Sequence, residues 1–265
     1  MIHKRKLRSE NRGIGMTSQG TRDRLGQRLR EEGNKDERVP KAMTQVPRHE
    51  FVDEALSSRA YENTALPIGQ SQTISQPWIV ARMTEALLDG GHPKKVLEVG
   101  TGSGYQAAIL AHLVETVFTV ERIDELLKLA RRRFHSQRLN NIYVRYADGH
   151  LGWPSQAPFD GIMVTAAAQS IPEELLEQLA VGGLLVIPIE RNGLQRLVSV
   201  RERLDLALED RASPAAAPAE GLGDLRPDLG EIDPRLIAGG DRERGAVAGF
   251  RGEQRRLGRG GCSQD

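Results

Sequence analysis

The sequence predicts an α/β protein with a doubly wound, mostly parallel sheet. Two observations carry this. From residue 94 to 200, short apolar and β-branched runs alternate with stretches of helical spacing, the rhythm of a parallel sheet covered by helices on both faces. A glycine-rich turn, Glu98-Val-Gly-Thr-Gly-Ser-Gly104, lies between the first run and the helix that follows it. Sheets of this kind bind ligands there, beyond the carboxyl ends of their strands.

Residues 96–99 form the first strand, and 105–114 the helix it feeds. A strand at 117–120 and a helix at 123–133 follow, then strands at 142–146, 161–164 and 184–189, with 172–180 helical before the last of these. A further strand is expected at 195–200. Upstream, 21–32 is charged and helical, 39–46 is a short apolar-spaced stretch, and Ile79, Met83, Ala86 and Leu87 give 77–88 a helical period. Pro47, Pro67 and Pro77 punctuate loops between them.

The chain divides into four parts. Residues 1–16 are a polar extension expected to be disordered, and Met16 is a second candidate translation start. Residues 17–89 supply helices and loops, and 90–200 the α/β cofactor domain. Residues 201–265 hold no Lys, Thr, Asn, Met, His, Trp or Tyr and a single aromatic, Phe250, so disorder is expected, with a helical turn or two at 203–210. Reading a GC-rich gene in a shifted frame would give such a composition.

The 37 Lys+Arg nearly balance 36 Asp+Glu, leaving no bulk drive toward nucleic acid or an acidic membrane. The single cysteine, Cys262, excludes an internal disulfide and fits a reducing compartment. No apolar run approaches the roughly 18–20 residues of a membrane span, and the basic first residues lack the apolar stretch of a secretory signal. The expectation is a soluble, cytoplasmic protein with no nucleic-acid or membrane partner and no metal.

Glycines at 100, 102 and 104 let the backbone turn sharply and admit a ligand without Cβ collision; the plainer reading is a tight strand–helix turn. Glu121 ends the next strand, where a carboxylate accepts from both hydroxyls of a ribose. The dinucleotide pattern G-x-G-x-x-G would need glycine at 105, but Tyr105 is there. A pyrophosphate wants an open helix N-terminus. S-adenosylmethionine carries no phosphate and tolerates Tyr105, so it is the expected cofactor, held by Glu98, Gly100, Gly102, Gly104 and Glu121. Asp148-Gly149 follows the third strand: Asp148 can accept from the adenine amino group and Gly149 can leave room for the ring, or the pair is an ordinary turn.

Val96-Leu-Glu-Val-Gly-Thr-Gly-Ser-Gly-Tyr-Gln106 and Ala65-Leu-Pro-Ile-Gly-Gln-Ser-Gln-Thr-Ile-Ser-Gln-Pro77 resemble motifs of the protein-L-isoaspartate O-methyltransferases. Pro47-Arg-His-Glu-Phe-Val52, Phe159-Asp-Gly-Ile-Met-Val-Thr-Ala-Ala167 and Leu179-Ala-Val-Gly-Gly-Leu-Leu-Val-Ile-Pro188 are similar to others, in the expected order, from about residue 17 to 200. The Thr73-Ile-Ser-Gln-Pro77 segment is the most specific of them.

The resemblance implies the class I S-adenosylmethionine-dependent methyltransferase fold, Rossmann-like, and a monomer acting on isoaspartyl-containing proteins. It implies methyl transfer to the free α-carboxyl of L-isoaspartyl residues, which arise when Asn deamidates or Asp isomerises, with S-adenosylhomocysteine as product. The ester cyclises to a succinimide unaided, and hydrolysis returns some normal aspartate. A carboxylate with a pKa of about 3.5–4 is already ionised, so no general base is needed. Catalysis is then alignment and desolvation.

By resemblance Ser75 is the catalytic residue, beside the substrate carboxylate. Read without it, Ser75 and Pro77 make a good helix start, Ser as N-cap. Thr73 and Ile74 are expected over the cofactor. Thr165 and Ala166 line the substrate channel or belong to a strand-end loop. Asp160 orients the methionine end or faces solvent, His49 is packed or at the surface, and Arg131–Arg133 are the solvated face of a helix. Family members continue past the 195–200 strand into a closing segment that nothing in 201–265 resembles. A non-catalytic or weakly active cofactor-binding protein, or a methyltransferase with another substrate, therefore stays open. A nicotinamide oxidoreductase is disfavoured by Tyr105.

Overall fold

The computed structural model describes residues 15–89, 91–191 and 194–202. The polar extension up to residue 14, the tail from 203 onward and the helical turn expected at 203–210 lie outside the described residues. In chain order the elements are α1 (Gln19–Glu31), α2 (Arg38–Gln45), β1 (Leu66–Gly69), β2 (Gln72–Ile74), α3 (Pro77–Leu88), β3 (Lys95–Val99), α4 (Tyr105–Ala111), β4 (Thr116–Glu121), α5 (Asp124–Ser136), β5 (Ile142–Tyr146), β6 (Phe159–Val164), α6 (Glu173–Leu176), β7 (Leu179–Arg191) and β8 (Leu194–Arg201).

The main sheet runs β5-β4-β3-β6-β7-β8, parallel throughout except for β8, which returns antiparallel along β7. β3 and β4 build one half outward to β5; the chain then crosses back to place β6 on the other side of β3. The order reverses at β3, so the turn leaving its carboxyl end sits at the switch point where such sheets bind ligands. β3 reads as a near-continuous apolar run because both its faces are covered. On α5 the buried residues Leu126, Leu127, Ala130 and Phe134 form one stripe, which packs the helix onto the sheet and toward the turn.

Two elements differ from expectation. The helix expected at 172–180 is the four-residue α6, because Leu179 already pairs with Phe159 and begins β7. β7 is continuous across a register irregularity at Gly182-Gly183, where a Cβ on Gly183 would stand 2.7 Å from the Ala180 carbonyl. The second difference is the β1–β2 hairpin, in a stretch expected to be loop. Its two-residue turn puts Gln70 and Ser71 in the left-handed region, with φ of 52° and 55°, as a type I′ turn requires.

Residues from α1, α2, the turn Arg48–Phe51, the hairpin and α3 (among them Leu25, Val39, Phe51, Leu66, Ile74 and Val80) share one apolar cluster with Tyr105, Ala108 and Ile109 of α4. The N-terminal segment is thus packed onto the helix that follows the glycine turn. Among the described residues, no helix is long and apolar enough to cross a membrane.

Candidate active site

β3 ends in a turn that only glycine accommodates at its two tightest points. Gly100 has φ +101°, and a Cβ there would stand 2.5 Å from the Thr165 hydroxyl oxygen; Gly104 has φ +88° and would meet the Phe134 ring at 2.8 Å. The amides of Gly100 and Thr101 both donate to the Val120 carbonyl, at 2.9 and 3.2 Å, which stitches the turn to β4. Thr165, just past β6, closes the other side: its hydroxyl donates to the Gly100 carbonyl at 2.6 Å.

At the end of β4 the Glu121 carboxylate receives three backbone amides. Oε2 accepts from Gly102 at 2.8 Å, and Oε1 from Arg122 and Ile123 at 2.9 Å each. A carboxylate has about four acceptor sites, so capacity remains for a ligand hydroxyl. The turn and this carboxylate fit a nucleoside: backbone approaches closely at the glycines, and a fixed acceptor stands beside them. Thr73 is exposed and Ser75 half-buried, while Gly102 faces Ile68 of the hairpin, whose Cδ1 would be 3.6 Å from an added Cβ.

Glu98 lies deeper than a ligand-facing residue. Its side chain is fully buried, Oε2 accepts from the Thr119 hydroxyl at 2.5 Å, and Thr119 and Thr101 share a hydroxyl–hydroxyl contact of 2.6 Å. Oε1 has no partner among the described residues. Burial pushes its carboxyl up to about 8; the Thr119 bond opposes this and the nearby Glu121 charge reinforces it. Glu98 is therefore mostly neutral at pH 7 and supports the turn from beneath.

Asp148 is exposed and caps a one-turn 3-10 segment, accepting from the His150 amide at 3.0 Å. It follows Ala147, whose amide donates to the Glu121 carbonyl, so Asp148 and Glu121 stand at adjacent strand ends. At Gly149 the space a Cβ would take is held by Val99, 2.5 Å away, so the glycine lets this turn close on β3. Ala166 is exposed beside Thr165.

Ser75 does not cap α3. Gln76 is the N-cap residue, without a side-chain cap bond, Pro77 opens the helix, and the Trp78 amide goes to Asn63 Oδ1 at 3.1 Å. The helix-start role expected of Ser75 is thus taken over by a loop asparagine. Ile74 is buried in the core cluster with Tyr105 and anchors the segment from within.

Asp160 takes neither expected role. It sits at the start of β6, the end of the sheet away from the glycine turn, and accepts from the Lys94 and Lys95 amides at 2.8 and 2.9 Å. His49 is packed, its Nδ1 2.7 Å from the Tyr61 hydroxyl, and burial lowers its pKa. Arg131 and Arg132 are exposed as expected, but Arg133 is not: it donates to the Ser103 carbonyl at 3.0 Å and covers the Phe51 ring at 5.8 Å.

Sequence reasoning missed Arg48, which is fully buried. Its guanidinium donates from Nε to the Ala60 carbonyl and from Nη2 to the Ser75 carbonyl, both at 2.7 Å, and lies 4.8 Å from the Tyr105 ring centroid. No spacing signal marks an arginine held by carbonyls; only its place beside the apolar 51–52 pair hinted at burial. Among the described residues no cluster of three or more His, Cys, Asp or Glu could hold a metal.

A family model described as Protein-L-isoaspartate(D-aspartate) O-methyltransferase matches residues 20–214, past the residue 200 at which the motif reading stopped. The protein-L-isoaspartate O-methyltransferase of Halorhodospira halophila is 63% identical over 199 residues, covering 75% of this chain and 90% of its own length. That of Hahella chejuensis is 59% identical over 195 residues, covering 74% and 92%. Among solved structures, a protein-L-isoaspartate O-methyltransferase is 29% identical with a TM-score of 0.63; the match covers 69% of this chain and spans 60% of that one. A beta-aspartate methyltransferase from Plasmodium falciparum, in complex with S-adenosyl-L-homocysteine, is 25% identical with a TM-score of 0.61, covering 69% and 94%. The chain belongs to the protein-L-isoaspartate(D-aspartate) O-methyltransferase family.

Proposed function

We propose that this chain transfers the methyl group of S-adenosylmethionine to the free α-carboxyl of L-isoaspartyl residues in damaged proteins, the first step of their repair. The observation that carries the reading is the joining of two parts: the nucleoside cradle at Gly100–Gly104 and Glu121, and the hairpin that leads into Thr73–Pro77, with Ile68 facing Gly102 and Ile74 sharing a core with Tyr105.

When bound, S-adenosylmethionine supplies an electrophilic methyl on a sulfonium. Glu121, already fixed by three amides, accepts from the ribose hydroxyls, and Asp148 from the adenine amino group. Gly100, Gly102 and Gly104 would let the backbone lie against the cofactor, with Glu98 and Thr165 bracing that backbone; Thr73 would cover the cofactor while Ile74 anchors its segment in the core. Gly149 holds the adenine-side turn against β3. Ser75 would donate one hydrogen bond to the substrate carboxylate and so hold it in a fixed orientation. Ala166, small and exposed, leaves space for the peptide beside Thr165. The nucleophile is ionised at neutral pH, so no side chain has to remove a proton.

In this reading residues 17–89 provide the substrate loops and 90–200 the cofactor domain. The partners are isoaspartyl-containing proteins, with neither nucleic acid nor membrane; the enzyme is a cytoplasmic monomer. The near-balanced charge supports the absence of nucleic-acid and membrane partners, and the single cysteine a reducing compartment.

The test is transfer of labelled methyl from S-adenosylmethionine to an isoaspartyl peptide and to its normal aspartyl twin. Base-labile label in the isoaspartyl peptide alone is the expected result. Label in both peptides, or in neither, would remove the assignment.

A further inference from the structure

Arg48 is an expensive residue to bury. Its guanidinium is fully enclosed, and the groups that hold it are two backbone carbonyls and an aromatic face rather than a carboxylate. Nη1 is buried without a partner among the described residues, and burial lowers the pKa of the group. An apolar side chain could fill the same volume with a smaller desolvation penalty, so stability alone does not account for a charge here. What an apolar side chain could not do is bond the carbonyls of Ala60 and Ser75 from one rigid plane.

We propose that Arg48 is a positioning residue that fixes the backbone of Ser75 over the cofactor turn. The Nη2–Ser75 bond sets the plane of the Ser75–Gln76 peptide and, through it, the point from which the Ser75 side chain projects. The guanidinium lies over the ring of Tyr105, the first residue of α4 and the one directly after Gly104. Tyr105 meets Phe51 edge-on at 5.5 Å, Arg133 covers Phe51, and Arg133 donates to the Ser103 carbonyl inside the glycine turn. The stack Arg133–Phe51–Tyr105–Arg48 thus connects a carbonyl of the cofactor turn to the carbonyl of Ser75. It sets the distance between methyl donor and substrate anchor, which matters because a 1 Å misplacement can slow a reaction about a hundredfold.

This inference rests on the role given to Ser75, so the experiment is a double-mutant cycle of Arg48→Lys and Ser75→Ala. It reads kcat and KM for an isoaspartyl peptide and the affinity for S-adenosylhomocysteine. Each single variant is expected to lose about tenfold or more in kcat while keeping product affinity within about threefold. The double variant is expected to be no slower than the slower single, because Arg48 acts through Ser75. Losses that multiply, or an Arg48→Lys variant with unchanged kcat, would overturn the proposal and leave Ser75 in its role. Unchanged kcat in Ser75→Ala would overturn the Ser75 assignment itself and the proposal with it. Should Arg48→Lys not bind S-adenosylhomocysteine, Arg48→Met completes the same cycle. If neither binds it, Arg48 is purely structural and the proposal is overturned.

Discussion

At the residue scale the site asks for little chemistry and much placement. In the proposed reaction the nucleophile is ionised, the methyl group is activated by its sulfonium, and Ser75 has only to hold a carboxylate in line. Ser75→Ala should therefore lower kcat about 10- to 100-fold while calorimetry finds the affinity for S-adenosylhomocysteine nearly unchanged. Glu121→Gln turns an NH2 group toward backbone amides that need an acceptor. It should weaken S-adenosylhomocysteine binding about tenfold or more, roughly 1.4 kcal/mol.

Glu98 makes a different prediction. Its carboxyl stands near 8 when folded, against an ordinary value of 4.5, so the folded chain binds the extra proton between those values. Stability from this group is full below about 4.5 and is lost as pH rises through about 8, at no more than about 1.4 kcal/mol per pH unit. Urea unfolding should show wild-type stability declining from pH 6 to pH 9 more steeply than in Glu98→Gln. Parallel pH curves for the two would contradict a neutral Glu98. Spacing alone marked Glu98, Glu121 and the glycines in the sequence, since each is tied to the turn by its distance along the chain. Arg48, Thr119 and Asn63 were not legible, because their partners are backbone carbonyls, another hydroxyl and a helix amide reached only through the fold.

At the element scale the strand–turn–helix unit β3–α4 is the rigid part of the site. Gly104 combines φ +88° with contact to Phe134 and Ala130, so Gly104→Ala strains the backbone and forces α5 away. A loss of about 2–4 kcal/mol in unfolding free energy is expected, with product affinity falling alongside it. A thermal or urea midpoint equal to wild type would contradict this packing. Most strands and helices were readable from their period, because each is buried on one stripe or on both faces. The hairpin was not, since its left-handed turn residues are Gln70 and Ser71 rather than the Asn-Gly that announces a type I′ turn. The long β7 was hidden too: Gly182-Gly183 reads as a break, and the Phe159–Leu179 pairing that starts the strand is a long-range contact.

At the scale of the whole molecule, the sheet reverses its order at β3, and the N-terminal segment that carries Ser75 packs onto the helix that leaves the turn there. The segment shares a core with α4, so substrate loop and cofactor turn are fixed to the same helix. The sequence made both halves recognisable, but their joining depends on contacts between residues far apart in the chain, such as Arg48 with Tyr105. The most direct test of the account is to incubate an isoaspartyl peptide with this protein and S-adenosylmethionine and follow its isomers by chromatography and mass. The account predicts a transient methyl ester, then succinimide, then accumulating normal aspartyl peptide. An isoaspartyl peptide that keeps its identity while the aspartyl form is esterified, or no ester at all, would contradict it.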